Sequence, residues 1–132
     1  MNISSDWKTI NGSTDQVYDT LSDLRNMGKF MPEQISDWEA EKDRCSFKIQ
    51  GMTSLSLRLE EQIPRQRLRL IPEGKSPFEF ELLFHLRETG SNSTDAMVEV
   101  AADLNPMMAM MAKKPLQNLV DAIGKKLLGL SF

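Results

Sequence analysis

One cysteine, Cys45, and one histidine, His85, are all that the 132-residue chain holds of two versatile reactive side chains. A single cysteine excludes an internal disulfide and any cysteine-built metal cage. It reads as a small buried hydrophobe in a reducing compartment. Zinc needs several convergent His, Cys or carboxylate ligands, so the expected metal complement is none. Glycines stand singly at turns or near helix ends, and none forms a phosphate-cradling loop. No Ser-His-Asp or Cys-His arrangement is visible, so no catalytic residue and no cofactor is assigned. No apolar run reaches membrane-spanning length, and even the C-terminal stretch is broken by lysines. The opening "MNISSDWKTINGSTDQ" lacks the apolar centre of a signal peptide. These absences predict a cytoplasmic protein that is not embedded in a membrane. Lys and Arg number 16 against 19 Asp and Glu, a net charge of −3. Without a clustered basic footprint, no nucleic-acid partner is expected.

What is present reads as one domain over residues 1–132, long enough to bury a core without disulfides or metal. "SDWKTING" is a short candidate strand ending at Asn11-Gly12. In "STDQVYDTLSDL", Ser13 and Gln16 have capping-box spacing, and Val17, Leu21 and Leu24 make one apolar helical face. A second short helix is predicted over Leu24 to Met31, ended by Pro32. From Gln34 the apolar period becomes two. "ISDWEAEKD", "RCSFKIQ", "MTSLSLRLEEQI", "RQRLRLIP", "SPFEFELLFHLRE" and "TDAMVEVAADL" read as six strands. The turns between them are short enough to require antiparallel neighbours.

Register follows from the turns. Around Gln50-Gly51, Phe47 should meet Leu55 and Cys45 should meet Leu57. A tight turn at Pro72–Gly74 predicts Arg69 opposite Glu79, Arg67 opposite Glu81, Leu70 opposite Phe78 and Leu68 opposite Phe80. The sheet then has one wet and one apolar face. Arg65, Arg67 and Arg69 read as an ion-pair ladder rather than a basic patch. His85 shares the parity of Glu79, Glu81 and Arg87, which makes it a surface histidine. "NPMMAMMAKKPLQNLVDAIGKKLLGLSF" reads as a long helix with Asn105 as N-cap and Pro106 at its first position. Leu116, Leu119, Ile123 and Leu127 form its apolar stripe. The fold class is α+β: a seven-stranded curved antiparallel sheet, in the order β-α-α-β6-α, wrapped around the C-terminal helix.

That order, together with "INGSTDQVYDTLSDLRNMGKFMP", resembles the START-like helix-grip superfamily (SRPBCC). Val17, Leu21, Asp23 and Asn26 fall on the opening pattern of that group, and the closing helix matches in position. The group includes polyketide cyclases, lipid-transfer domains and plant pathogenesis-related allergens. The resemblance spans nearly the whole chain and implies a curved sheet gripping its last helix, often around a hydrophobic cavity. It supplies no universal catalytic motif, and for a partner it implies a hydrophobic small molecule or lipid.

On that reading Phe47, Leu57, Leu68, Leu70, Phe80, Leu82, Phe84, Val98 and Val100 line the sheet side of the cavity. Met108, Met111, Leu116 and Leu119 line the helix side. Two alternatives stay open. A polyketide cyclase/dehydratase-like enzyme would need a buried ionisable group. Asp103, where the last strand meets the helix, reads instead as a cap or as solvated. A non-enzymatic interaction protein would have its cavity filled by its own Phe and Leu side chains.

The segment "NPMMAMMAKKP" poses its own question. At 100° per residue, Met108 shares the core side with Ala112, Leu119, Ile123 and Leu127, while Met107, Met110 and Met111 point away. Pro115 removes a hydrogen bond to Met111 and predicts a kink. Thioethers suit copper(I), but such sites usually add His or Cys, and neither is nearby. Local packing near Phe30 and Met31, a lid over an apolar ligand, and an interface forming a homodimer all remain open for Met107, Met110 and Met111.

Overall fold

The computed structural model describes residues 1–76, 78–130 and 132. Along the chain run β1 (Asn2–Ser4), β2 (Lys8–Asn11), α1 (Thr14–Leu21), α2 (Leu24–Met27) and a 3-10 turn at Gly28–Phe30. Then come β3 (Ile35–Ala40), β4 (Arg44–Ile49), β5 (Ser54–Ile63), β6 (Arg67–Pro72), β7 (Glu79–Gly90), β8 (Ser93–Asp103) and α3 (Pro106–Leu127). The strands form one antiparallel sheet in the order β1-β8-β7-β6-β5-β4-β3, with β2 also on β8. The sheet curls around α3, a helix-grip arrangement of the α+β class.

The strand expected over 5–12 is observed as β2 (Lys8–Asn11), and a strand that was not expected, β1 (Asn2–Ser4), precedes it, which makes eight rather than seven. Ser5 opens the gap between the two. The Ser5 N–H donates to the Val98 carbonyl at 2.9 Å, and its Oγ accepts from the Val98 N–H at 3.1 Å. The side chain thus substitutes for a backbone acceptor, and the chain steps sideways without leaving a buried polar group unpaired. At this step α3 approaches closely: a Cβ on Gly124 would lie 3.3 Å from the Ser5 side chain.

The Gln50-Gly51 hairpin has the expected register, with Phe47 opposite Leu55 and Cys45 opposite Leu57. Gly51 takes the left-handed backbone (φ 79°) that the turn needs. The β6–β7 hairpin differs. Leu68 lies opposite Phe84, Leu70 opposite Leu82, Arg67 opposite His85, and Arg69 opposite Leu83 rather than Glu79. The Pro72–Gly74 turn is part of a longer connection. The Glu73 N–H bonds to the Ser56 carbonyl at 2.8 Å, which holds the chain on β5 before it crosses to Glu79. Because the slip is an even number of residues, every side chain keeps its face. The arginine ladder survives with different partners. Arg69 bonds Glu81 diagonally, Arg67 pairs with Glu61, and Arg65 pairs with Glu88 at 2.7 Å.

The first short helix has its expected cap, and the helix expected over Leu24 to Met31 is α2 (Leu24–Met27) followed by the 3-10 turn. Ser13 and Gln16 form the capping box of α1. The Trp38 indole stacks on Phe47 (centroids 5.4 Å apart), and its Nε1 donates to the Leu24 carbonyl at 3.2 Å. Gly28 lies under that ring, where a Cβ would overlap it. In β3, Asp37 has φ 55°, and the register against β4 shifts between Ser36 and Glu39, which marks a bulge. Helix α3 begins where expected, with Asn105 Oδ1 accepting from the Met108 N–H at 2.9 Å, and it continues through Pro115.

Two substitutions probe this packing. Leu119 is 1% exposed, so Leu119→Asp strands an unpaired charge in the core; circular dichroism should show no cooperative unfolding transition. Gly28→Ala should destabilise the fold by about 1–3 kcal/mol through overpacking. In a Trp7→Phe background, the remaining emission from Trp38 should shift as its ring is displaced.

Candidate functional site

The strand residues that face α3 are packed together. Leu57, Leu68, Leu70, Phe84, Val98, Val100 and Leu116 have no solvent-accessible surface, and Phe47, Phe80, Leu82 and Leu119 have 3% or less. All belong to one contiguous cluster. Side chains with no accessible surface have no water-sized void beside them. The sequence-predicted wall is a filled one.

Open space lies at the mouth of the grip. A cleft of about 400 Å³ opens between the β4–β5 turn (Gly51, Met52, Thr53), Phe78, and the first half of α3 (Met108, Met111, Ala112, Pro115). Each wall follows from local structure. The turn is closed by the Met52 N–H donating to the Ile49 carbonyl at 2.9 Å, which sets Met52 beside the cleft. Phe78 meets the buried Phe80 edge-on, with ring centroids 6.2 Å apart, so the cleft floor continues into the core. On α3 the Asn105 cap fixes the first turn, and Ala112 is small enough to leave room above the sheet.

None of those eight side chains ionises. Thr53 offers a hydroxyl, and Pro115 has no N–H to give the Met111 carbonyl its usual helical partner. The arrangement can hold an apolar group and meet one hydrogen-bonding group, but its side chains offer no general acid or base. Met108 and Met111 are thus brought to one site, while Leu116 and Leu119 lie in the core beneath. Met52 and Phe78 do not follow from strand parity, because one sits in a turn and the other in a connection. The signal that could have found them is a large apolar residue where turn chemistry prefers small polar ones.

The methionines keep the expected helical phase, Met108 being the least exposed of the four, but correct the burial expected of Met108. Met108 is 42% exposed rather than core, and Met107, Met110 and Met111 are 73%, 83% and 74% exposed. Burial on α3 begins only at Ala112, because the first turns overhang the end of the sheet. Exposure this high shows that Met107, Met110 and Met111 do not pack under Phe30 and Met31.

No ionisable residue is among the eight that wall the cleft, although Phe78 also borders a second cleft with Arg69, Glu79 and Glu81. His85 is on the wet face, its Nε2 3.0 Å from Glu99 Oε1. Burial pushes the Cys45 thiol up to about 12, so it stays protonated and a poor nucleophile. Asp23 is held down at about 2, chiefly by the hydrogen bond from Arg25, and it caps α2. Asp103 is exposed and is not the cap of α3. A larger cleft of about 550 Å³ has Glu33, Lys125 and Lys126 among its walls, beside Pro32 and Ala122, and its charged groups suit an apolar ligand less well. Among the described residues there is no group of three His, Cys, Asp or Glu placed to hold a metal ion. No described helix is long and apolar enough to cross a membrane.

Solved structures share this architecture at low sequence identity. A START superfamily protein from Mycobacterium smegmatis aligns with a TM-score of 0.69 at 16% identity, over 98% of this chain and 99% of its own. A Thermus thermophilus protein gives a TM-score of 0.74 at 17% identity, over 98% and 95% of the two chains. The KanY protein, solved by NMR, gives 0.74 at 12% identity with the same coverage. At these identities the likeness establishes the fold alone. No protein-family model and no curated protein matches the chain.

The exposure of Met110 makes a direct prediction. Met110→Gln should change the unfolding free energy by less than about 0.5 kcal/mol, as expected for a surface position. Chemical denaturation monitored by Trp38 emission measures it. A loss of several times that size would show that Met110 is covered within the lone chain.

Proposed function

We propose that the protein binds a hydrophobic small molecule or lipid segment at the mouth of its grip. A single observation carries this reading: a cleft of about 400 Å³ walled by Met52, Phe78, Met108 and Met111, with no ionisable side chain among the residues named for it. Its size falls in the range of small-molecule sites. Methionine suits an apolar ligand of variable shape, because its unbranched thioether repacks at low cost. One hydroxyl or amide on the ligand can meet Thr53 or the Met111 carbonyl. Burying about 200 Å² of apolar ligand surface contributes roughly 5 kcal/mol before association costs, which supports weak to moderate affinity.

The inward residues from Phe47 to Val100, with Leu116 and Leu119, pack as closed core and do not wall the cleft itself. A longer ligand would enter by separating Phe80 from its neighbours. The cyclase or dehydratase alternative has less support, since acid–base chemistry needs a titratable group within reach of the substrate. Nothing of that kind lines the cleft among the residues named for it. A buried, protonated Cys45 suits a reducing compartment, which favours the cytoplasm as the setting.

Titration with the neutral apolar dye N-phenyl-1-naphthylamine tests the assignment. Wild-type protein should enhance and blue-shift the dye emission. Met108→Glu should weaken binding at least tenfold, and Lys126→Ala, at the polar cleft, should leave it unchanged. Equal binding by Met108→Glu and wild type, or no binding at all, would sink this reading.

A further inference from the structure

A thioether is oxidised where solvent reaches its sulfur, and the protein sorts its nine methionines sharply in that respect. Met107, Met110 and Met111 are 73%, 83% and 74% exposed and Met108 is 42% exposed, all in the first turns of α3. Met27 is fully buried, Met31, Met52 and Met97 are half-buried, and only Met1 outside the helix is exposed, at 39%. Leucine would serve equally well as an apolar helix former at these positions. What methionine adds is flexibility and a sulfur that takes up oxygen. We propose that the start of α3 is a modification site for hydroperoxides, and that its oxidation makes the neighbouring cleft unfit for apolar ligands.

The step is a two-electron oxygen transfer. A sulfur lone pair attacks one peroxide oxygen, and the S–O bond forms as the O–O bond breaks. The proton on the transferred oxygen passes to the departing oxygen. Methionine and hydrogen peroxide thus give methionine sulfoxide and water; with an organic hydroperoxide the second product is an alcohol. Charge separates as the O–O bond breaks, so water at the sulfur favours the reaction. The exposed sulfurs of α3 meet that condition, and Met27 does not. The one thiol, Cys45, is buried and does not compete for the oxidant.

Position divides the consequences. Met107 and Met110 are not among the residues that wall the cleft, whereas Met108 and Met111 are. A sulfoxide carries a large dipole and an oxygen that accepts hydrogen bonds. Of the eight side chains around the cleft, only Thr53 can donate one. With both Met108 and Met111 oxidised, a bound apolar ligand would cover at least one S=O oxygen that has no partner, which disfavours binding. Sulfoxide reductases reverse the change. The effect on the cleft rests on the ligand reading; the order in which the methionines are oxidised does not.

Titration of the folded chain with hydrogen peroxide, read by peptide mass spectrometry, tests the site. Met107, Met110 and Met111 should each gain one oxygen at least tenfold faster than Met27, Met31, Met52 and Met97, and Met108 should follow before any of those four. Circular dichroism should stay unchanged at that stage. Affinity for N-phenyl-1-naphthylamine should fall at least tenfold as Met108 and Met111 are oxidised, and methionine sulfoxide reductases of both epimer specificities together should restore it. Met107→Leu with Met110→Leu should show the same fall on treatment. Met108→Leu with Met111→Leu, measured against its own untreated value, should show none. Oxidation of Met27 or Met52 ahead of the α3 methionines, or unfolding before those four have reacted, overturns the proposal. Dye affinity indifferent to sulfoxides at Met108 and Met111 overturns the link to the cleft. Untreated protein that binds no dye sinks the ligand reading and that link together, while the order of oxidation still decides the site.

Discussion

The structure depends on one burial problem: a sheet with a single apolar face must be covered, and only α3 is long enough to do it. Leu116, Leu119, Val120, Ile123 and Leu127 supply the covering stripe. Each such side chain contributes roughly 1.5–3 kcal/mol when fully buried. Other features accommodate that contact. The chain breaks between β1 and β2 at Ser5, and Gly124 has no side chain where the helix meets the break. The Thr14 and Thr94 hydroxyls, 3.1 Å apart and buried, satisfy each other where α1 meets β8, with Thr94 also donating to the Gly12 carbonyl. The fold tolerates buried polarity only where it is paired.

Because the stripe fits its sheet closely, the described side chains fill the centre of the grip. Bulky inward residues such as Phe80 and Phe84 occupy the volume that a ligand would need. Space reappears where the stripe ends, at Ala112, and α3 continues past the sheet for two more turns. There the side chains change from leucine and isoleucine, which specify a rigid fit, to methionine, which does not. Core and cleft are successive parts of one helix, separated by Pro115.

Much of this was legible in the amino-acid order. Period-two alternation from Gln34 and turn chemistry at Gln50-Gly51 define strands, faces and one register. Pro72–Gly74 misled because turn residues also occur inside longer connections, and parity cannot distinguish registers that differ by an even slip. The phase of α3 was right for Leu119 and for the split among the methionines, while the burial expected of Met108 was wrong. Periodicity reports direction around a helix and not whether anything lies opposite. The same limit hid Met52 and Phe78, whose place beside Met111 depends on how far a loop reaches across space.

The bulge at Asp37 has a wider consequence. Strand β3 is one rim of the sheet, and β1 and β2, three and four residues long and not continuous, form the other. Neither rim offers a straight ladder of free amides and carbonyls on which a foreign strand could add. Open-ended growth by strand stacking, the route to fibrils, is obstructed at both ends.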